Sequence, residues 1–260
     1  MAAPRQVARR TPPPLPDGFA VFLDIDGTLL DLAPAPDAVH VDPALATLLP
    51  KVRRSLGGAL ALITGRTITD VDRLFPGLRM AVAGQHGCER RDALGTLHLH
   101  APATATLKTL RKLFTEFAHT HEGLMLEDKG STLALHYRKA PQLAAHVHKT
   151  LRDTVAASGT SVYRLQPGKQ LLELRPDDRD KGTAIRDFMA ERPFKGRCPA
   201  FIGDDRSDEH GFALINALGG WSVKVGPGRT CARYRLADVT AVREWLTGLV
   251  ASPAAVMDKR

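Results

Sequence analysis

The chain has 260 residues, enough to bury a sizeable core in one large domain or in a core that carries a smaller insert. Hydrophobic residues make up 43% and charged residues 25%, which excludes a wholly disordered or fibrous protein, and no apolar run approaches the roughly 20 residues of a membrane-spanning helix. The net charge of +8 comes from scattered Lys and Arg with 5% aromatics and no recognisable nucleic-acid module, so neither nucleic acid nor membrane is expected as a partner.

Residues 1–17 carry Arg5, Arg9 and Arg10 and a run of prolines but no apolar secretory stretch, and read as a disordered basic tail. Gly18 to Leu23 is an apolar run that stops at Asp24, with Asp26-Gly27-Thr28 following, the pattern of a buried strand giving way to a loop. Leu60 to Ile63 before Thr64-Gly65-Arg66 repeats it, and so does Ala200-Phe201-Ile202 before Gly203-Asp204-Asp205. Three such runs, at least two followed by helix-like segments, predict an α/β protein with a mostly parallel sheet, whose chemistry gathers at the strands' carboxyl ends. Between these halves the pattern changes. Thr132 to Tyr137 and Gln170 to Leu174 alternate as half-buried strands, while Leu107, Leu110, Phe114 and Phe117 form a helix-spaced stripe and Pro141 to Val155 predicts a second helix. The expected organisation is a core from 18–104 and 177–260 and an α+β insert from 105–176. Cys88, Cys198 and Cys231 are widely spaced and lack a Cys-x-x-Cys pair, which points away from zinc or a disulfide framework and toward a reducing cytoplasm.

Residues i and i+2 of an extended segment share a face, so Asp24 and Asp26 can present both carboxylates at one strand end. Such a pair suits a hard cation such as Mg²⁺, or a division of labour between nucleophile and proton carrier. As a lone Asp-x-Asp it is equally an acidic turn; the apolar strand before it and Gly-Thr-Leu after it set it apart. Thr64 offers a hydroxyl, and the turn at Gly65 offers backbone N–H groups to a phosphate oxygen. Lys181 opens a segment with Ala184, Ile185, Phe188 and Met189 on one helical face, which puts its ammonium near a helix N-terminus. Asp204 and Asp205 bring further oxygens toward a cation, and Asp208 and Glu209 are placed to hold their loop.

Taken in order, Asp24-Ile25-Asp26-Gly27-Thr28, Thr64, Lys181 and Gly203-Asp204-Asp205-Arg206-Ser207-Asp208 resemble the four motifs of the haloacid dehalogenase superfamily. The resemblance implies a Rossmann-like core in which Asp24 is the nucleophile that forms an aspartyl-phosphate and Asp26 the general acid and base. It further implies that Thr64 and Lys181 hold the non-transferring oxygens and that Mg²⁺ sits among Asp24, the Asp26 carbonyl and Asp204, with Arg66, Asp205 and Asp208 in support. The insert falls where this superfamily places a C2-type cap that selects the substrate. Gly84-Gln85-His86-Gly87, Glu127-Asp128-Lys129, His136-Tyr137-Arg138, Gly168-Lys169-Gln170 leading to Glu173, and Gly203 to Glu209 further resemble the trehalose-6-phosphate phosphatase family. Thr64 and Ser207 depart from its usual Ser and Thr but keep the hydroxyl. By this resemblance Glu127, Lys129 and Glu173 bind the hydroxyls of the distal glucose, with His86 nearby on the core side, and the enzyme hydrolyses trehalose 6-phosphate in the last step of trehalose synthesis.

Singly, Glu127-Asp128-Lys129 is also an ordinary charged turn and Glu173 an outward strand residue. The rival enzyme is a capped phosphatase for sucrose 6-phosphate or another hexose phosphate; the rival of another class is a binding protein that has lost catalysis. His98 and His100 alternate on one expected strand without completing a zinc site, and His119 and His121 are expected as solvated helix-end residues. Whether His136 and Arg138 bind substrate or brace the cap is left open by the sequence, and a monomer is the default.

Overall fold

The computed structural model describes residues 11–32, 41–100, 104–168 and 170–251. Along the chain run β1 (Phe19–Leu23), α1 (Pro43–Ser55), β2 (Leu60–Ile63), α2 (Ile68–Leu74), β3 (Ala81–Gly84), β4 (Glu89–Arg91) and β5 (Leu97–Leu99). There follow α3 (Thr104–His119), β6 (Met125–Asp128), β7 (Leu133–His136), α4 (Ala144–Ala157), β8 (Tyr163–Gly168) and β9 (Leu171–Pro176). The chain closes with α5 (Lys181–Met189), β10 (Cys198–Gly203), α6 (Glu209–Ala217), β11 (Trp221–Val225), β12 (Tyr234–Leu236) and α7 (Val239–Ala251). Two compact units divide it, Met1–His98 with Asp180–Arg260 and, between them in sequence, Leu99–Arg179.

The first unit is built on an eight-stranded sheet in the order β12-β11-β10-β1-β2-β3-β4-β5. From β12 to β3 every neighbouring pair is parallel, and β4 returns antiparallel to β3, so the mostly parallel sheet expected from the apolar runs is what forms. All five residues of β1 are buried because both of its faces are covered. Val21 and Leu23 join the cluster that takes in Leu45 and Leu49 of α1, Val71 of α2 and Leu246 of α7. Ala20 and Phe22 point the other way, into the cluster of Ile185 and Phe188 of α5 and Phe212 of α6. The chain leaves β1 through α1 on one face and β10 through α6 on the other. The crevice between the carboxyl ends of these two adjacent strands is therefore a topological switch point, where open α/β sheets bind ligands.

Local signals fix the helix starts. Asp42 accepts from Ala44 N at 2.8 Å, with Pro43 at the first helical position of α1. Asp180 and Thr183 form a reciprocal capping box at α5, so the chain turns into that helix with Lys181 as its first residue.

The second unit is a four-stranded antiparallel sheet, β6-β7-β9-β8, with α3 and α4 on one face. Leu133, Leu135, Leu172 and Leu174 alternate inward to meet Leu107, Leu110 and Phe114 of α3 and Val147 and Leu151 of α4. The boundaries shift in detail. The strand expected through Tyr137 stops at His136, and the helix expected from Pro141 begins at Ala144 behind a 3-10 turn, Pro141–Leu143. Residues 1–10 of the expected tail lie outside the described residues. Thr11 to Pro16 carry no helix or strand, but they are held to the first unit: Leu15 packs against its core and Trp245 donates to the Pro13 carbonyl at 3.2 Å.

Candidate active site

At the end of β1, Asp24 N donates to Ile202 O of β10 at 3.0 Å, which ties the two strand ends together and leaves the Asp24 carboxylate buried in the crevice. Lys181 Nζ, from the capped start of α5, lies 2.8 Å from Asp24 Oδ1 and 2.7 Å from Asp208 Oδ1. All three groups are almost inaccessible to solvent. Burial pushes the Asp24 and Asp208 carboxyls up, Asp24 well above its ordinary range, and Lys181 only partly offsets this. Burial opposes the Lys181 charge too, but Asp208 and Asp24 outweigh it and hold the ammonium well above its ordinary value. Asp204 is pushed up to about 7 by burial and by the charges of Asp208 and Asp205.

Burial is the largest influence on all four groups, and the crowding of Asp24, Asp204, Asp205 and Asp208 pushes the carboxyls further up. Asp24, Asp204 and Asp208 each offer an oxygen within 4.8 Å of the others, a hard, anionic donor set that fits Mg²⁺. Gly27 permits this approach. Its φ is +78°, and a Cβ there would lie 2.1 Å from Asp204 Oδ2.

The sequence placed Asp26 beside Asp24, but the carboxylate turns elsewhere. The turn from Ile25 to Leu30, closed by Leu29 N and Leu30 N on Ile25 O, carries Asp26 to Arg66, which donates through Nε to Oδ2 at 2.7 Å and through Nη2 to Oδ1 at 2.6 Å. Arg66 N in turn donates to Thr64 Oγ1 at 3.1 Å. Thr64 is buried at the end of β2, its N bonded to Ala83 O of β3 and its carbonyl accepting from His86 N, each at 2.9 Å. His86 and Gln85 both adopt left-handed backbone, φ 56° and 47°, at a cost of about 1–3 kcal/mol each. The His86 ring packs over Gly65, where a Cβ would fall 2.7 Å from Nε2. The loop after β10 is braced from within: Asp205 accepts from Ser207 N and Oγ, both at 2.7 Å, and Asp205 N donates to Asp208 Oδ2 at 2.9 Å.

The second unit gathers Glu127, Lys129 and Glu173. Glu127 of β6 stands opposite Ala134 of β7, and Ala134 opposite Glu173 of β9, so both carboxylates point away from the helices on one face. Lys129 Nζ lies 3.5 Å from Glu173 and 3.9 Å from Glu127, and His136 Nε2 is 2.8 Å from Glu127 Oε2. Burial would raise the Glu127 pKa, but the His136 bond and the Lys129 charge hold it below its ordinary value. Arg138 is exposed beyond the end of β7, and Lys169 lies outside the described residues.

The trehalose-phosphatase family model matches residues 22–240, which take in every one of these groups. The chain belongs to the trehalose-phosphatase family. It is 43% identical over 238 residues to the trehalose-6-phosphate phosphatase of Escherichia coli, a match that covers 90% of this chain and 87% of that one. It is 42% identical over 211 residues to a probable trehalose-phosphate phosphatase of Sinorhizobium fredii, covering 81% and 79%. Among solved structures, the C-terminal domain of the Candida albicans trehalose-6-phosphate phosphatase superposes with a TM-score of 0.77 at 23% identity, covering 89% of this chain and 91% of that chain. At that identity the likeness concerns the haloacid-dehalogenase-like fold.

Within this trehalose-phosphatase, one residue that secures the site was not singled out by the sequence. Lys224 of β11 is buried and donates to the carbonyls of Asp204 and, at 2.5 Å, Val225, which secures the start of the loop after β10 to the next strand. Burial pulls its pKa down against the attraction of Asp204. The signal lay in a lysine between two valines near the carboxyl end of an apolar run, Trp221-Ser222-Val223-Lys224-Val225. His136, whose role the sequence left open, bonds to Glu127 at 2.8 Å. The remaining histidines lead elsewhere. His98 and His100 pair with Asp92 and Asp178 at 3.0 and 3.1 Å, and His121, expected as solvated, packs on Phe117 and His146 with ring centroids 4.5 and 5.2 Å away.

Proposed function

We propose that this chain hydrolyses trehalose 6-phosphate to trehalose and phosphate through a covalent intermediate on Asp24. The observation that carries the reading is the buried Asp24 carboxylate, 2.8 Å from Lys181 Nζ and facing Asp204 and Asp208 at the switch point of the sheet. Asp24 attacks phosphorus in line with the sugar oxygen; the P–O bond to the sugar breaks as the aspartyl-phosphate forms. Asp26 protonates the departing oxygen, then takes a proton from the water that attacks phosphorus and frees Asp24. Arg66 orients Asp26 for both steps, and one of its two bonds opens when Asp26 carries the proton. Thr64 and Lys181 hold the non-transferring oxygens, and Lys181 offsets the repulsion between an anionic nucleophile and an anionic ester. Asp24, the Asp26 carbonyl and Asp204, with Asp208 beside them, would hold Mg²⁺, which would supply positive charge to offset that of the phosphate in this carboxylate-rich crevice.

Selection of the sugar is assigned to Glu127, Lys129 and Glu173. Their carboxylates accept from ring hydroxyls and the ammonium donates to them, while His86 contributes from the core side. Asp205 and Asp208 keep the loop after β10 in shape. The reading extends to a monomer in a reducing cytoplasm, in keeping with Cys88, Cys198 and Cys231 standing outside any disulfide, and to substrate as the only partner. Among the described residues no helix is long and apolar enough to cross a membrane.

The test is phosphate release by Asp24→Asn, a near-isosteric change that removes the nucleophile. Loss of turnover with an unchanged melting temperature is expected. Turnover at the parental rate would remove Asp24 from the mechanism.

A further inference from the structure

We propose that Gln166 is a specificity-determining residue that binds a sugar hydroxyl beside Glu173. This rests on the reading above, in which the face of the second unit that carries Glu127 and Glu173 recognises the sugar.

Strand register sets these side chains in line. Glu127 of β6 is opposite Ala134 of β7, Ala134 is opposite Glu173 of β9, and Glu173 is opposite Gln166 of β8. Residues directly opposed in antiparallel strands project from the same face, so these four side chains form one row across the whole sheet. The leucines between them, Leu133, Leu135, Leu172 and Leu174, turn to the helices, which leaves the row on the other face. Neighbouring strands lie about 4.8 Å apart, which puts the backbones at Glu127 and Glu173 about 10 Å from each other, with Lys129 Nζ between their carboxylates, and Gln166 one strand further on. The row lines polar groups along one face of the sheet, with Ala134 and Glu173 buried and the half-buried Glu127 and Gln166 at its two ends.

The partners of these groups differ. Glu127 is engaged by His136 and Lys129, and Glu173 lies 3.5 Å from Lys129. The side-chain amide of the half-buried Gln166 has no hydrogen-bond partner among the described residues. Its chemistry complements its neighbours. Carboxylates only accept, whereas an amide both donates and accepts without adding charge, which suits a neutral hydroxyl pair. A disaccharide phosphate offers the row more ring hydroxyls than a hexose phosphate does, so Gln166 is assigned to favour the larger ester.

The test compares kinetics on trehalose 6-phosphate, glucose 6-phosphate and a small aryl phosphate for the parent, Gln166→Ala, the isosteric Gln166→Glu and, as a reference for the cap reading, Glu173→Ala. Loss of one neutral hydrogen bond corresponds to roughly a three- to tenfold fall in kcat/KM for trehalose 6-phosphate, carried by KM. Both Gln166 variants are expected to show it with the aryl phosphate unaffected, because the Glu side chain fills the same space but has no N–H to give. Unchanged trehalose 6-phosphate constants in both, with Glu173→Ala selectively impaired, would overturn the role of Gln166 and leave the cap reading standing. Should Glu173→Ala also lose nothing selectively, the cap reading itself fails. If Gln166→Ala harms all substrates alike, the isosteric variant decides: selective loss supports the proposal, and equal loss or none overturns it.

Discussion

Asp26 shows how a side chain's partner bears on its chemistry. Both of its oxygens accept from Arg66, so the carboxylate is oriented by two charge-assisted bonds. General acid–base catalysis contributes about 10²–10⁴-fold, and it matters most when the leaving group is a poor one. Asp26→Asn should therefore lower kcat on a sugar phosphate by about that factor and on an aryl phosphate, whose phenolate leaves without help, by much less. Equal losses in steady-state assays would mean that Asp26 shapes the loop and moves no proton. In the second unit, Glu127 gives a prediction with a definite sign. Its pKa is held below the ordinary 4.5 by His136 and Lys129 against the effect of burial, so its contribution to stability is present above that value and fades as pH falls through the depressed one. The difference in melting temperature between the parent and Glu127→Gln should shrink from about pH 6 to about pH 3; a difference that grows on acidification would contradict the assigned ion pair.

At the scale of elements, the site depends on where strands stop and helices start. Asp180 caps α5 and so sets the position of Lys181. Replacing it with Ala should cost about 1 kcal/mol of stability, seen as a lower melting temperature, together with a fall in kcat as Lys181 loses its fixed approach to Asp24. Gly27→Ala tests the turn after β1. With φ at +78° and a Cβ aimed 2.1 Å from Asp204 Oδ2, the substitution must displace that loop, and the rise in melting temperature that the proposal expects of the parent with Mg²⁺ should be absent while the unfolding transition itself remains. A full Mg²⁺ response in this variant would separate Asp204 from the metal site. Much of this arrangement was legible in the sequence. Asp24, Thr64 and Asp204 could be placed because each follows an apolar run that only a buried parallel strand explains, and Lys181 because it precedes a helical stripe. What could not be read were partnerships across the sheet: Arg66 turning Asp26 from the acidic group, Asp208 reaching Lys181, and Lys224 holding the Asp204 carbonyl. These depend on strand order and register, which short apolar runs do not encode. The three-residue strands β4 and β12 are too short to show an alternation pattern, whereas β5 was expected from the alternation of His98 and His100.

Across the whole molecule, chemistry and selection are assigned to separate units, each with its own apolar core. Phe22 is wholly buried between Phe188 and Phe194, and Phe22→Ala should cost about 3–5 kcal/mol through the cavity it leaves. Glu173, by contrast, lies on the polar face of the other sheet, so its loss should alter which ester is hydrolysed more than whether one is. The central claim joins the two units in one activity: a metal-dependent phosphatase chosen for a disaccharide phosphate. Phosphate release from trehalose 6-phosphate, glucose 6-phosphate and sucrose 6-phosphate, each with Mg²⁺ and with excess EDTA, tests it most directly. The predicted result is strong preference for trehalose 6-phosphate that vanishes with the metal; equal activity on all three esters, or activity that survives EDTA, would contradict it.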